Sequence, residues 1–185
     1  MKKLLLAVVL SVVGMGAAFA ASPSWNYVEG NYTHRQEFSP QNGFNLQGSW
    51  NVVSNLYVVG STTELVDHTD HFNDTRLGAG LFLPVTSMVD LYGQVEGVAE
   101  TTNTSTTAWG EAVQGGVRVQ LFSSLGVFGG VEYQHLDHPV QTLDKNEVFG
   151  VVGANYSLMK NLSLVGEFKT SGQTKEAFGG VRLDF

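Results

Sequence analysis

The feature that most constrains this chain is a period-two alternation of apolar and polar residues that returns in stretch after stretch from Trp25 onward. Leu91, Gly93, Val95, Gly97 and Ala99 alternate with Asp90, Tyr92, Gln94 and Glu96. Val113, Gly115, Val117 and Val119 alternate with Gln114, Gly116, Arg118 and Gln120, and Leu162, Leu164, Gly166 and Phe168 with Ser163, Val165, Glu167 and Lys169. Successive side chains of a strand point to opposite faces. Each stretch therefore reads as a strand with one apolar or glycine face and one face of amides, carboxylates and bases. No stretch past Trp25 shows the 3.6-residue period of an amphipathic helix.

The connections between strands come in two kinds that take turns. Short ones fall at 52–54, 84–87, 121–123 and 157–160, and long polar ones at 36–42, 66–73, 100–108, 137–145 and 171–175. Four short and five long connections divide the chain into ten strands, with eight as the second choice. A weak repeat sets the same register. After each short turn the chain reads apolar, any, apolar, any, glycine, as in Leu56-Tyr57-Val58-Val59-Gly60, Val89 to Gly93, Leu125 to Gly129 and Leu162 to Gly166. This is the period of an up-and-down meander of hairpins.

The first twenty residues follow a different rule. Lys2 and Lys3 precede a nearly continuous apolar run over 4–13, then small residues ending in Ala18-Phe19-Ala20. That layout is a secretory signal peptide, with residues 1–20 removed and 21–185 forming one exported domain. Cysteine is absent, which excludes a disulfide scaffold and a thiolate metal site. The formal net charge of −7 and the lack of a basic run argue against nucleic-acid binding.

A soluble core also produces alternation, so a secreted lipocalin-like barrel is an alternative. Three features point to lipid. The chain is exported, its strands approach the ~9–11 residues that cross a bilayer at a tilt, and its connections are short at one end and long at the other. Backbone groups in lipid must pair internally, so the sheet has to close on itself. Trp25, Tyr32, Trp50, Trp109, Tyr133, Tyr156, Phe168 and Phe185 lie near strand ends, as interfacial aromatic girdles do. Charged residues on the opposite faces, Glu29, Arg76, Glu96, Arg118, Glu132, Glu167, Lys169 and Arg182, suit a polar barrel interior better than a greasy ligand cavity. They are expected to form a charge network across the lumen, since an unpaired buried charge is costly.

The chain ends Gly179-Gly180-Val181-Arg182-Leu183-Asp184-Phe185. Alternating apolar residues and a terminal phenylalanine resemble the assembly signal of bacterial outer-membrane proteins, carried here by Val181, Leu183 and Phe185. The exported domain resembles the small outer-membrane β-barrels of the OmpA- and OmpX-like group. That resemblance implies a Gram-negative outer membrane with its lipid and lipopolysaccharide, periplasmic chaperone escort, and insertion by the barrel assembly machinery. Most of that group have eight strands, whereas this chain reads as ten.

Two roles follow as expectations. One is a structural or surface-interaction protein with a plugged lumen, and the other a narrow channel for small solutes or ions. Phe82, Phe128, Phe149 and Phe178 on inward positions favour the plug. All five histidines lie in the long connections or at the outer rims. His68, His71, His135 and His138, beside Asp67, Asp70 and Asp137, could supply imidazole and carboxylate ligands to zinc, copper or nickel, although their spacing matches no strong metal motif. Ten strands and rim Asp/His pairs invite comparison with the omptin proteases, but no omptin motif is visible, and no enzymatic activity or cofactor is expected. The first check is biochemical. The refolded exported domain should give a β-sheet circular dichroism spectrum and a gel mobility that shifts on boiling; a water-soluble product with no shift would restore the lipocalin-like alternative.

Overall fold

A computed structural model describes residues 24–36, 40–66, 71–103, 107–138, 145–172 and 174–185. The expected leader over 1–20 lies outside these residues, as do Asp67, His68, Asp70 and positions 104–106 of the connection expected over 100–108. Ten strands follow one another: β1 (Tyr27–Gln36), β2 (Pro40–Val53), β3 (Leu56–Val66), β4 (His71–Thr86), β5 (Val89–Thr102), β6 (Thr107–Phe122), β7 (Leu125–Leu136), β8 (Asn146–Met159), β9 (Leu162–Thr170) and β10 (Lys175–Asp184). Each pairs antiparallel with its chain neighbours, and β1 closes on β10 from Tyr27↔Asp184 to Gln36↔Lys175. The architecture is the expected closed, all-antiparallel barrel of ten strands.

The strands are longer than the polarity of their ends suggests. Val53 pairs with Leu56, so only Ser54 and Asn55 make the first turn, and the other three short turns are likewise two residues long. A bulge precedes each of the four turns, at Asn51/Val53, Pro84/Thr86, Gln120/Phe122 and Ser157/Met159. The repeat read from sequence thus includes one extra residue per hairpin, which sharpens twist where the strand reverses. At the other end Gln41 pairs with Arg35, His71 with Val66, Thr102 with Phe72 and Thr107 with Thr101. The expected long connections therefore shrink to 37–39, 67–70, 103–106, 137–145 and 171–174. Only 137–145 stays long. Polarity there marks residues that face the lumen or the rim while their backbones still pair.

The apolar face points outward. Leu46, Leu77, Leu81, Val95, Val113, Val131, Val152, Leu164 and Val181 are exposed around the circumference. A band of this kind would aggregate in water and is what lipid requires. Tyr32, Trp50, Trp109, Tyr133, Tyr156, Phe168 and Phe185 are exposed on the same surface, as expected of girdles. Trp25 is not among them. It is 5 % exposed and lies inside the barrel. Its parity with Tyr27 and Glu29 puts it on the inward face, and that parity overrides its place near a strand end.

Closing ten strands forces tight coiling, and inward glycines permit it. A Cβ on Gly43 would lie 1.7 Å from the Glu64 carbonyl oxygen on β3, so β2 and β3 approach more closely than any side chain allows. A Cβ on Gly80 would meet the Tyr57 ring at 2.4 Å. The outward Gly179 has open space around it. Gly43→Ala should therefore lower unfolding stability by about 1–3 kcal/mol, measured by urea titration in lipid. Gly179→Ala should leave the same midpoint within about 0.5 kcal/mol.

Candidate functional site

The lumen is built by the inward parity of all ten strands and is closed in layers. At the loop end, Leu65, Phe72, Val98, Ala108, Ala112 and Leu136 form a fully buried apolar cluster on β3 to β7. Beside it Arg35 of β1 stacks its guanidinium 4.3 Å above the Phe72 ring and pairs with Glu176 of β10. At the turn end, Trp25, Tyr57, Val59 and Tyr92 form a second cluster, with Phe82 against it. The charged residues occupy the space between.

Arg76 of β4 is the hub. Its Nε donates to Asp74 Oδ2 at 2.8 Å, Nη1 to Glu132 Oε1 at 2.8 Å, and Nη2 to Gln134 Oε1 at 2.9 Å. Glu96 Oε2 stands 3.9 Å from Nη1. The planar fork reaches β4, β5 and β7 at once, which a lysine's single ammonium does not. Lys169 of β9 donates to the same Glu132 oxygen at 2.8 Å and lies 4.2 Å from the Phe149 ring centre. Gln134 Nε2 continues the chain to Glu100 Oε1 at 2.7 Å. Toward the turn end, Arg182 Nε donates to Glu29 Oε2 at 2.8 Å, and Asn31 Nδ2 donates to Glu29 Oε1 at 2.9 Å.

Arg118 plays a different part. Its guanidinium lies 3.9 Å from the Trp25 ring and Nη1 donates to the Ser24 carbonyl at 3.3 Å. The Trp25 indole N–H donates to buried Asp90 at 2.9 Å, and the ring stacks on Phe82 at 4.8 Å. The segment just before β1 is thereby drawn into the barrel mouth. A central cavity of ≈ 90 Å³ remains, with Glu167 on its wall outside the pairs just described. A second cavity of ≈ 190 Å³ lies at the turn end, and Arg118, Phe128 and Arg182 border both. The central space has room for only a handful of waters and is far below the ~300 Å³ of the smallest usual ligand pocket.

The structure thus places all eight expected lumen charges inside the barrel and links six of them in pairs; Arg118 and Glu167 stand apart. Sequence reasoning missed Asp74, Glu100, Arg35 and Glu176, placed Asp90 on the polar face without counting it in the network, and put Trp25 on the girdle. Inward parity with Arg76, Glu96, Glu29 and Arg182 was the available signal, lost for Glu100 because it read as a connection. Among the described residues His71, His135 and His138 form no common cluster. His71 Nδ1 is 3.7 Å from Glu64, His135 Nδ1 is 2.8 Å from Asn146 Oδ1, and His138 Nδ1 is 2.7 Å from Asp137. Among the described residues no group of three or more metal-ligating side chains converges. Val181 and Leu183 of β10 and Phe185 just after it are exposed, with Phe185 edge-on to Trp50 at 6.0 Å.

Arg76→Met should cost about 3–5 kcal/mol in unfolding free energy, because Asp74 loses its ion pair and Glu132 keeps only Lys169. Arg76→Lys should recover only part, since one ammonium cannot bridge three strands. Urea midpoints of the three proteins in the same lipid check both.

Neither family models nor curated protein sequences give a match to this chain. Solved structures do. The KdgM porin in complex with disordered oligogalacturonate is similar at a TM-score of 0.52 and 11% identity, over 85% of this chain and 99% of that one. The NanC porin is similar at a TM-score of 0.57 and 6% identity, with the same coverages. The outer membrane protein OprG from Pseudomonas aeruginosa follows at 0.47 and 10%, over 90% and 98%. At such identities the likeness concerns the fold alone. A closed antiparallel barrel, an apolar outer band and a polar, charged interior give this chain the fold of the small outer-membrane β-barrels.

Proposed function

We propose that the protein is a closed outer-membrane barrel whose role is structural or lies in cell-surface interaction at its loop end, not in solute passage. The observation that carries this reading is the filled lumen. An apolar cluster occupies the loop end along β3 to β7, Trp25 and its ring neighbours narrow the turn end, and Arg76 ties β4, β5 and β7 together between them. Residues 1–20 serve as the cleaved leader in this reading, and the outward row Val181, Leu183 and Phe185 as the signal read by the assembly machinery. The loop end faces the cell exterior and both chain ends face the periplasm.

A narrow channel is the second reading, favoured by the likeness to two porin folds. The lumen limits what could pass. Glu29, Asp74, Asp90, Glu96, Glu100, Glu132, Glu167 and Glu176 outnumber Arg35, Arg76, Arg118, Lys169 and Arg182. An acidic, water-poor path repels anions, so the class of permeant would be small cations. Planar-bilayer recording separates the two. The wild-type protein should give no steady conductance steps at neutral pH, and Trp25→Ala should give none either, because the loop-end cluster still closes the path. Steady steps from the wild type would overturn the closed reading in favour of the channel.

A further inference from the structure

The rim at the loop end contains the same three-residue arrangement twice. On β1 and β2 the Tyr32 hydroxyl donates to Asn42 Oδ1 at 2.8 Å, and His34 Nδ1 meets that same oxygen at 2.8 Å. On β7 and β8 the Tyr133 hydroxyl donates to Asn146 Oδ1 at 2.7 Å, and His135 Nδ1 meets it at 2.8 Å. In both, tyrosine and histidine stand two apart on one strand, Tyr32-Thr33-His34 and Tyr133-Gln134-His135, and the asparagine stands on the next. The Asn42–His34 and Asn146–His135 pairs are direct cross-strand neighbours. All six side chains belong to the outward parity, where the lumen makes no use of them.

The chemistry of each site follows from its hydrogen bonds. A carboxamide oxygen only accepts, so both imidazoles are held with the proton on Nδ1. A neutral ring in that tautomer turns Nε2 into an acceptor, and the asparagine Nδ2 keeps its donors. Each site therefore offers an acceptor and donors side by side, next to an aromatic ring; Tyr32 is also edge-on to Phe44 at 6.0 Å. The depth is equally defined. Moving toward the turns from Asn42 come Phe44 and Leu46, and from Asn146 come Val148 and Val152, all exposed. The polar atoms begin where the apolar band stops, at the level of lipid headgroups.

Charge narrows the partner. Glu111 lies directly opposite His135 across β6 and β7, and Glu64 opposite Phe44 across β2 and β3. Lysine stands near both sites: Lys175 faces Gln36 at the end of β1, and exposed Lys145 immediately precedes Asn146. No outward arginine stands beside either site among the described residues, and Glu64 and Glu111 offset Lys175 and Lys145, so neither site presents the cluster of cations that a phosphate selects. Mixed donors and acceptors with an aromatic face suit the hydroxyls of a sugar.

We propose that these two rim sites, Tyr32–His34–Asn42 and Tyr133–His135–Asn146, bind the neutral sugar headgroup of a glycolipid in the surrounding leaflet. The assignment of that leaflet as the outer one rests on the orientation given above; the sites themselves do not.

The test uses the full barrel in phosphatidylcholine nanodiscs, which present both leaflets and so read binding whatever the orientation or conductance. The histidine ring signals are followed by NMR as the discs are doped with a glycolipid bearing a neutral oligosaccharide, or with phosphatidylglycerol. The wild type should show shifts of the His34 and His135 rings that grow with the glycolipid and not with phosphatidylglycerol. Asn42→Ala combined with Asn146→Ala should lose those shifts while keeping its boiling-dependent gel mobility. Tyr32→Phe with Tyr133→Phe, which keeps the rings, should weaken them. The wild-type titration decides by itself should a variant fail to refold. Equal shifts with phosphatidylglycerol would reassign the sites to anionic lipid, equal shifts with the free oligosaccharide to a soluble glycan, and no shift at all would leave only cross-strand bonds; each overturns the proposal.

Discussion

Closure of β1 onto β10 is the constraint on which everything else depends. In lipid no water is present to satisfy an open sheet edge, so an unpaired edge strand is excluded, and ten paired ladders are the solution this chain adopts. Closure has a geometric cost. The sheet must coil tightly, and at Gly43 and Gly80 it does so only because no Cβ stands in the way. The bulge before each two-residue turn belongs to the same solution, since the added twist reverses the strand without breaking its ladder.

Closure also converts a surface pattern into an interior one. The polar face of every strand becomes a confined space in which charges cannot all be hydrated. The structure answers with a graded filling rather than a uniform one. Apolar side chains pack at the loop end, aromatic rings narrow the turn end, and the charges lie between them, six of the eight within reach of a partner. Arg76 suits the hub because its five donors lie in one plane and can serve several strands at once. Trp25 completes the other end by combining a large apolar ring with a single N–H that Asp90 accepts.

Much of this was legible in the residues. Strand number and pairing order follow from the alternating connections, closure from the need to pair every backbone group in lipid, and the inward set from Glu29 to Arg182 from parity, because a strand has only two faces and lipid accepts only one kind. Where the reading failed, it failed for one reason. Polar residues such as Gln41, Glu100 and Thr107 read as connection, whereas in a barrel with a polar lumen they are as strand-like as a valine. The same blindness put Trp25 on the girdle. An aromatic near a strand end has two possible homes, and nearness to the end does not choose between them.

The sequence by itself determined the alternation, and hence which side chains meet lipid and which meet each other. It did so because period two is a local property, set by the backbone of each strand alone. Tertiary structure decided the partners. Whether Glu132 would answer Arg76, Lys169 or both depends on how far each strand is staggered around the barrel, and that stagger is fixed only when all ten ladders close together. The paired rim sites show the same division. Their tyrosines and histidines can be read two residues apart on one strand, but the asparagine that joins them becomes visible only once the next strand is laid alongside in register.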